Sequence, residues 1–90
     1  MNPPAAAEKL AGKSRAVLRA WVLARNPELP AERLRDDTPL LRDRLVTSLQ
    51  VLDLLLLVES LRDAPLDAAD LTAGAFIDID TIVRTFLEDR

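Results

Sequence analysis

The segment from Leu49 to Arg62 constrains the fold most, because its apolar residues recur at the three- and four-residue spacing of an α-helix. One apolar stripe, which we assign to the core, consists of Val51, Leu54, Leu55, Val58 and Leu61. A second stripe, rotated away from the first, consists of Leu49, Leu52 and Leu56, and is called the leucine strip below. A surface helix of a small domain needs only one apolar face, so the leucine strip is a candidate for a partner surface as well as for the core.

Three further helices are predicted around this segment. The first begins after Asn2, with Pro3 or Pro4 in its first turn, and ends at Asn26-Pro27. Its inward stripe consists of Leu10, Ser14, Val17, Leu18, Trp21 and Ala24. A short helix is expected from Asp67 to Ala73, with Gly74 as its C-terminal stop. The last helix is predicted from Asp78 to Leu87, and its buried stripe consists of Ile79, Ile82, Val83 and Phe86.

A long connection separates the first helix from the segment beginning at Leu49. Twenty structureless residues are unusual in a compact domain, so we expect short helical turns inside it. Pro30 is predicted to open a turn that buries Leu34, and Thr38-Pro39 a turn that buries Leu40 and Leu41. No segment shows the alternation of a strand. The pattern predicts an all-α fold in one domain spanning residues 1–90: a four-helix bundle with three longer helices, one short helix and a long first loop.

The composition excludes several classes of function. The chain has no Cys and no His, which excludes disulfides and metal sites built on thiolate or imidazole ligands. Its net charge of −3 argues against a nucleic-acid partner. No apolar run approaches the ~20 residues of a membrane span, and no secretory pattern is visible, so we expect a cytoplasmic protein without a membrane partner. Asp36-Asp37 and Asp78-Asp80 lack the spacing of a calcium loop and are more typical of helix caps and turns.

Ser48 lies where the long helix is predicted to begin. Thr47-Ser48-Leu49-Gln50 is typical of a capping box, in which Thr47 caps the helix and Gln50 reaches back to it. An anionic group on Ser48 would meet the positive end of the helix dipole, an interaction worth ~0.3–1 kcal/mol at an exposed site. Serine is also common at helix starts for structural reasons alone.

Several segments together resemble the acyl and peptidyl carrier proteins. They are Asp37-Thr38-Pro39-Leu40 in the loop, Thr47-Ser48-Leu49 opening a long helix, and Phe76-Ile77-Asp78-Ile79-Asp80-Thr81-Ile82 in the last segment. Asp53 and Glu59 fall on acidic positions of the family's second helix. The chain departs from the family in having Thr47 where Asp is usual, and in having no Gly in Arg44-Leu45-Val46 before it.

The resemblance implies that Ser48 carries a covalent 4′-phosphopantetheine arm, which bears an acyl or aminoacyl group as a thioester. It also implies a free-standing monomeric carrier, in polyketide, nonribosomal peptide or related specialised metabolism. Its partners would be a phosphopantetheinyl transferase, an acyl- or aminoacyl-loading ligase and a downstream synthase or transferase. These would meet the surface formed by Leu49, Leu52, Asp53, Leu56 and Glu59. Fatty acyl, polyketide, amino acid and unusual starter cargoes are all compatible with the resemblance.

An enzymatic role for Ser48 is disfavoured by the residues themselves. The chain has no His to activate the hydroxyl, and its only lysines, Lys9 and Lys13, lie far from Ser48 in sequence. We therefore expect a non-catalytic protein. The alternative to a carrier is an unmodified helical adaptor that uses the leucine strip to bind a partner helix, or to form a dimer.

Overall fold

The computed structural model describes residues 4–67, 69, 71 and 73–87, with side chains described from residue 12 onward, apart from residue 73. Within this part of the chain there are helices and turns and no strand, which confirms the predicted all-α class. The α-helices are α1 (Pro4–Ala24), α2 (Gln50–Arg62) and α3 (Ile79–Ile82). A π-helical turn, Val83–Leu87, continues α3, and 3-10 turns occupy Ala31–Arg33 and Ala73–Phe76.

The inward face of α1 differs in part from the predicted stripe. Ser14, Leu18 and Val22 are its fully buried residues, whereas Val22 was not predicted. These three residues are spaced four apart, so the line of buried side chains slants around the helix axis. At the end of α1 the buried face therefore includes Val22, and Ala24 is exposed. Val17 and Trp21 are half-buried. The predicted cap at Asn2, Pro3 and the side chain of Leu10 lie outside the described residues.

The long first loop contains the predicted short turns. The 3-10 turn Ala31–Arg33 follows Pro30, and Leu34 is buried directly after it, as predicted. Leu40 is also buried, but Leu41 is 36% exposed, so its predicted burial was wrong. The reason is a tight turn after Pro39, which has Leu40 facing the core and leaves the adjacent Leu41 outside. The Asp43 N–H donates to the Pro39 carbonyl at 3.1 Å, and the Arg44 N–H donates to the Leu41 carbonyl at 3.1 Å.

The second half of the chain confirms some predicted helix ends and corrects others. Helix α2 ends before Pro65, as predicted, at Asp63, whose φ of 55° is left-handed. Gly74 lies inside the turn Ala73–Phe76, so its predicted role as a helix stop was wrong. In the predicted short helix, Asp67 and Leu71 are not helical, whereas Ala69 and Ala73 have 3-10 geometry. Residues 68, 70 and 72 lie outside the described residues.

The last predicted helix is shorter in its α-helical part than expected. The Asp78 carboxylate accepts a hydrogen bond from the Thr81 N–H at 2.7 Å and so caps α3, as favoured from the sequence. The predicted stripe Ile79, Ile82, Val83 and Phe86 is fully buried. The segment changes from α- to π-helical geometry at Val83, so the description of three longer α-helices was correct only for α1 and α2.

One apolar core joins these elements. Its buried residues are Leu18, Val22, Leu34, Leu40, Val46, Leu54, Val58, Ala75, Phe76, Ile79, Ile82, Val83, Phe86 and Leu87. The rings of Phe76 and Phe86 pack with their centroids 5.4 Å apart. The loop is held to the last segment by two backbone hydrogen bonds, from the Leu40 N–H to the Ile77 carbonyl at 2.9 Å and from the Asp80 N–H to the Asp36 carbonyl at 2.8 Å. These contacts hold the loop that precedes Ser48 against the core.

Candidate functional site

The capping box at the start of α2 is formed as predicted. The Gln50 N–H donates to Thr47 Oγ1 at 3.2 Å, and the Thr47 N–H donates to Gln50 Oε1 at 2.9 Å. The side chains of Thr47 and Gln50 are therefore each engaged with the backbone N–H of the other residue. The Val51 N–H donates to the Thr47 carbonyl at 3.1 Å, so Ser48 and Leu49 lie in a turn just before α2. The helix itself begins at Gln50, later than the predicted start near Thr47 or Ser48.

Ser48 itself is exposed at this turn. Its hydroxyl makes no hydrogen bond within the described part of the chain. The other described serines differ: Ser14 is fully buried in α1, and Ser60 is exposed near the end of α2. At that end the dipole disfavours an anionic group. Ser48 is thus the serine whose hydroxyl is accessible at the start of a long helix.

The leucine strip is exposed, which excludes the interpretation that it belongs to the core. The exposed fractions are 82% for Leu49, 64% for Leu52 and 61% for Leu56, against 1% for Leu54 on the opposite face. The core side of α2 also includes Val58, with Val51, Leu57 and Leu61 partly buried against the core. Leu55, predicted on the core stripe, is half-buried at its margin.

The two acidic residues beside the leucine strip have different surroundings. Asp53 is exposed, and at ~100° per residue it lies on one flank of the strip. Glu59 lies on the other flank and is half-buried, and its carboxylate accepts a hydrogen bond from the Leu66 N–H at 2.8 Å. Asp53 is therefore available to a partner, whereas Glu59 also holds the chain that leaves α2.

An open groove of about 350 Å³ lies beside Ser48, and its lining residues are Leu41, Arg44, Val46, Thr47 and Ser48. Arg44 has a left-handed backbone, with φ of 60°, a conformation that glycine adopts most easily. The sequence drew attention to this turn only through its lack of glycine. The sequence did not predict that Leu41 and Arg44 would line the groove, because their position depends on how the loop folds against the core.

Other candidate sites are less well supported. A depression of about 500 Å³ at the end of α1 is lined by five consecutive residues, Arg25, Asn26, Pro27, Glu28 and Leu29. Among the described residues, no group of three or more acidic side chains could hold a metal ion. Asp36 and Asp80 instead contact the Arg15 guanidinium. None of the described helices is both long enough and apolar enough to cross a membrane.

Comparison of the chain with protein-family models, with curated proteins and with solved structures found no match. The interpretation of Ser48 therefore depends on its sequence context and its geometry.

The residues around Ser48 fit a covalently attached phosphodiester. The hydroxyl is exposed, the groove beside it is open, and the rival hydroxyl of Thr47 accepts the Gln50 hydrogen bond. Within the described residues, the N–H groups of Ser48 and Leu49 have no acceptor. Unpaired donors at a helix start favour an anionic group.

Proposed function

We propose that this chain is a carrier protein that tethers a biosynthetic intermediate on a phosphopantetheine arm at Ser48. The proposal includes a carrier-type four-helix bundle and cytoplasmic, non-catalytic action. The observation that carries it is the exposed Ser48 in the turn that leads into α2, followed directly by the exposed leucine strip. An accessible nucleophile with an apolar docking surface next to it is what a modifying enzyme and later partners require.

Ser48 would take part in one covalent step. Its Oγ would form a bond to the phosphorus that bears the pantetheine of coenzyme A, while the bond from that phosphorus to 3′,5′-ADP breaks. The hydroxyl proton would pass to a base of the transferase, because the chain has no His of its own to accept it. When attached, the arm supplies a terminal thiol that bears an acyl or aminoacyl group as a thioester.

The leucine strip would serve the partner enzymes in turn. Leu49, Leu52 and Leu56 offer apolar contact, and Asp53 offers a charge to a basic partner residue. The partners by this proposal are a phosphopantetheinyl transferase, an acyl- or aminoacyl-loading ligase and a downstream synthase or transferase. Polyketide, nonribosomal peptide or related specialised metabolism is the proposed setting.

The test is the intact mass of the protein after incubation with coenzyme A and a promiscuous phosphopantetheinyl transferase. We expect one added arm on the wild type and none on Ser48→Ala. Thr47→Val is the matched control, because it removes the neighbouring hydroxyl and should leave modification in place. No added mass on the wild type with several transferases would refute the carrier function.

The same exposed leucines favour a second candidate, an unmodified helical adaptor. An apolar strip on one helix face can enter the groove of a partner or pair with a second copy of the chain. In that case wild type and Ser48→Ala would have equal, unmodified masses. Leu52→Asp would abolish the partner complex, or dissociate a dimer in sedimentation experiments.

A further inference from the structure

The groove beside Ser48 contains one charged side chain, that of Arg44. Arg44 is exposed, and its guanidinium has no hydrogen bond or ion pair within the described residues. Arg42, two residues earlier, instead has its Nε at 3.5 Å from Asp43 Oδ1. The groove thus combines a cation without an internal partner with the proposed attachment residue.

Arg44 and Ser48 line the same groove. They are four residues apart, so their Cα atoms are at most ~14 Å apart even in an extended chain. The segment before Thr47 forms a closed turn, because the N–H groups of Leu45 and Val46 both donate to the Leu40 carbonyl, at 2.9 and 3.2 Å. The left-handed turn at Arg44 and these hydrogen bonds hold the residue at the groove.

The charges near Ser48 suit an anion on its oxygen. Thr47 is neutral, so it does not compete with the anion for Arg44. A phosphodiester has one negative charge at neutral pH, and arginine pairs with phosphate oxygens through charge-assisted, often bidentate hydrogen bonds. The rest of the described lining, Leu41 and Val46 with the aliphatic part of Thr47, offers apolar contact to a flexible chain.

We propose that Arg44 is a positioning residue that pairs with the phosphodiester on Ser48 and directs the arm along the groove towards Leu41. This inference depends on the proposed function, because it needs the arm on Ser48. It goes beyond the proposed function by assigning a cation of the chain itself, Arg44, to the phosphate group of the arm.

The experiment compares apo and arm-bearing forms of the wild type, Arg44→Gln, Arg44→Lys and Arg42→Gln. Gln has a Cβ like Arg, so Arg44→Gln leaves the strain of the left-handed backbone at position 44 unchanged. Arg42→Gln is the matched control, because it removes a neighbouring positive charge. In the wild type, attaching the arm should shift the Arg44 Nε–Hε resonance and raise Tm. Arg44→Gln should lose more than half of that rise, Arg44→Lys should retain part of it, and Arg42→Gln should retain all of it. The rise in the wild type should shrink at high salt.

The outcomes separate the two proposals. The role of Arg44 is refuted, and the carrier function stands, under two conditions. The wild type accepts the arm without a shift of its Arg44 resonance, and the arm raises the Tm of Arg44→Gln as much as that of Arg42→Gln. If the wild type accepts no arm, both proposals fall. Ser48→Ala mixed with coenzyme A controls for non-covalent binding and should show neither change.

Discussion

At the residue scale, the hydroxyl of Ser14 is buried in the protein, whereas that of Ser48 is exposed to solvent. Ser14 is fully buried in α1, and its Oγ has no hydrogen-bond partner among the described residues. A buried hydroxyl without a partner costs about 1–3 kcal/mol of folding free energy. Ser48 is exposed to water, which satisfies its hydroxyl and leaves it accessible to a partner.

The buried hydroxyl leads to a stability prediction. Ser14→Ala should raise the free energy of unfolding by about 1–3 kcal/mol, because it removes a desolvated polar group while retaining the Cβ. Urea denaturation measures the change. Ser60→Ala, at an exposed position of α2, is the matched control, and should gain only the helix-propensity difference of about 0.5 kcal/mol. Equal gains in the two variants would show that Ser14 has a partner in solution.

Arg44 and Asp63 are the described non-glycine residues with positive φ, at 60° and 55°. Asp63 ends α2 in the left-handed conformation common at helix C-termini, where its N–H donates to the Glu59 carbonyl. Arg44 adopts the same conformation in the turn before Ser48. A glycine would adopt this conformation with less strain, but it would lack the positive charge. Arginine at this position therefore supplies a cation at the expense of some backbone strain.

At the element scale, α2 has apolar residues on two opposite faces. Leu54 and Val58 pack in the core, and the leucine strip is exposed on the other side. Periodicity identified both stripes, and the stripe predicted to face the core, which includes Leu54 and Val58, is the one that packs inward. What periodicity left open was whether the leucine strip is buried as well, because that depends on how α1, the loop and α3 pack against α2.

This two-faced helix allows a matched comparison. Leu54→Ala should lower the free energy of unfolding by about 2–5 kcal/mol, because it leaves a cavity in the core. Leu52→Ala, the same change two residues away at an exposed position, should alter it by less than about 0.5 kcal/mol. Denaturant unfolding followed by circular dichroism measures both. The reverse order would mean that the faces of α2 are assigned backwards.

The same pair should separate in a functional assay. Leu52→Ala should slow transfer of the arm to Ser48, because it removes apolar contact from the proposed docking surface. Below its unfolding transition, Leu54→Ala should be modified at the wild-type rate. An unchanged rate for Leu52→Ala would remove Leu52 from the partner surface.

At the scale of the whole molecule, an ionic cluster joins three parts of the chain. Arg15 Nη1 in α1 lies 3.1 Å from Asp36 Oδ2 in the loop and 3.0 Å from Asp80 Oδ1 in α3. Arg84 Nε lies 3.1 Å from Asp80 Oδ2. Partial burial lowers the pKa of Arg15, but the hydrogen bonds and charges of Asp80 and Asp36 outweigh burial and raise that pKa overall. The contribution of this raised pKa to stability is present at neutral pH and is lost only as strongly alkaline pH passes through it.

A double-mutant cycle tests this cluster. Arg15→Met and Asp80→Asn, alone and together, should give a coupling free energy of about 0.5–1 kcal/mol in urea unfolding. The value is modest because the side chains are 25% and 36% exposed and solvent screens them. The coupling should shrink at ~1 M salt, where the screening length is ~3 Å. A coupling of zero at low salt would show that the cluster does not stabilise the fold.

The sequence by itself determined the features that depend on neighbouring residues. The capping box of Thr47 and Gln50, the Asp78 cap of α3 and the end of α2 before Pro65 all follow from interactions within a few residues. Residue type and spacing were enough to predict them, and also to single out Ser48 at the start of a helix.

The tertiary structure alone decided the burial of several individual side chains and what surrounds Ser48. The exposure of Leu41, the burial of Val22 and the groove containing Arg44 depend on contacts between segments far apart in sequence. One example is the hydrogen bond from the Leu40 N–H to the Ile77 carbonyl, which holds the loop against the last segment. Local patterns contain no information about such pairings, because their free energy comes from surfaces that meet only when the chain has folded.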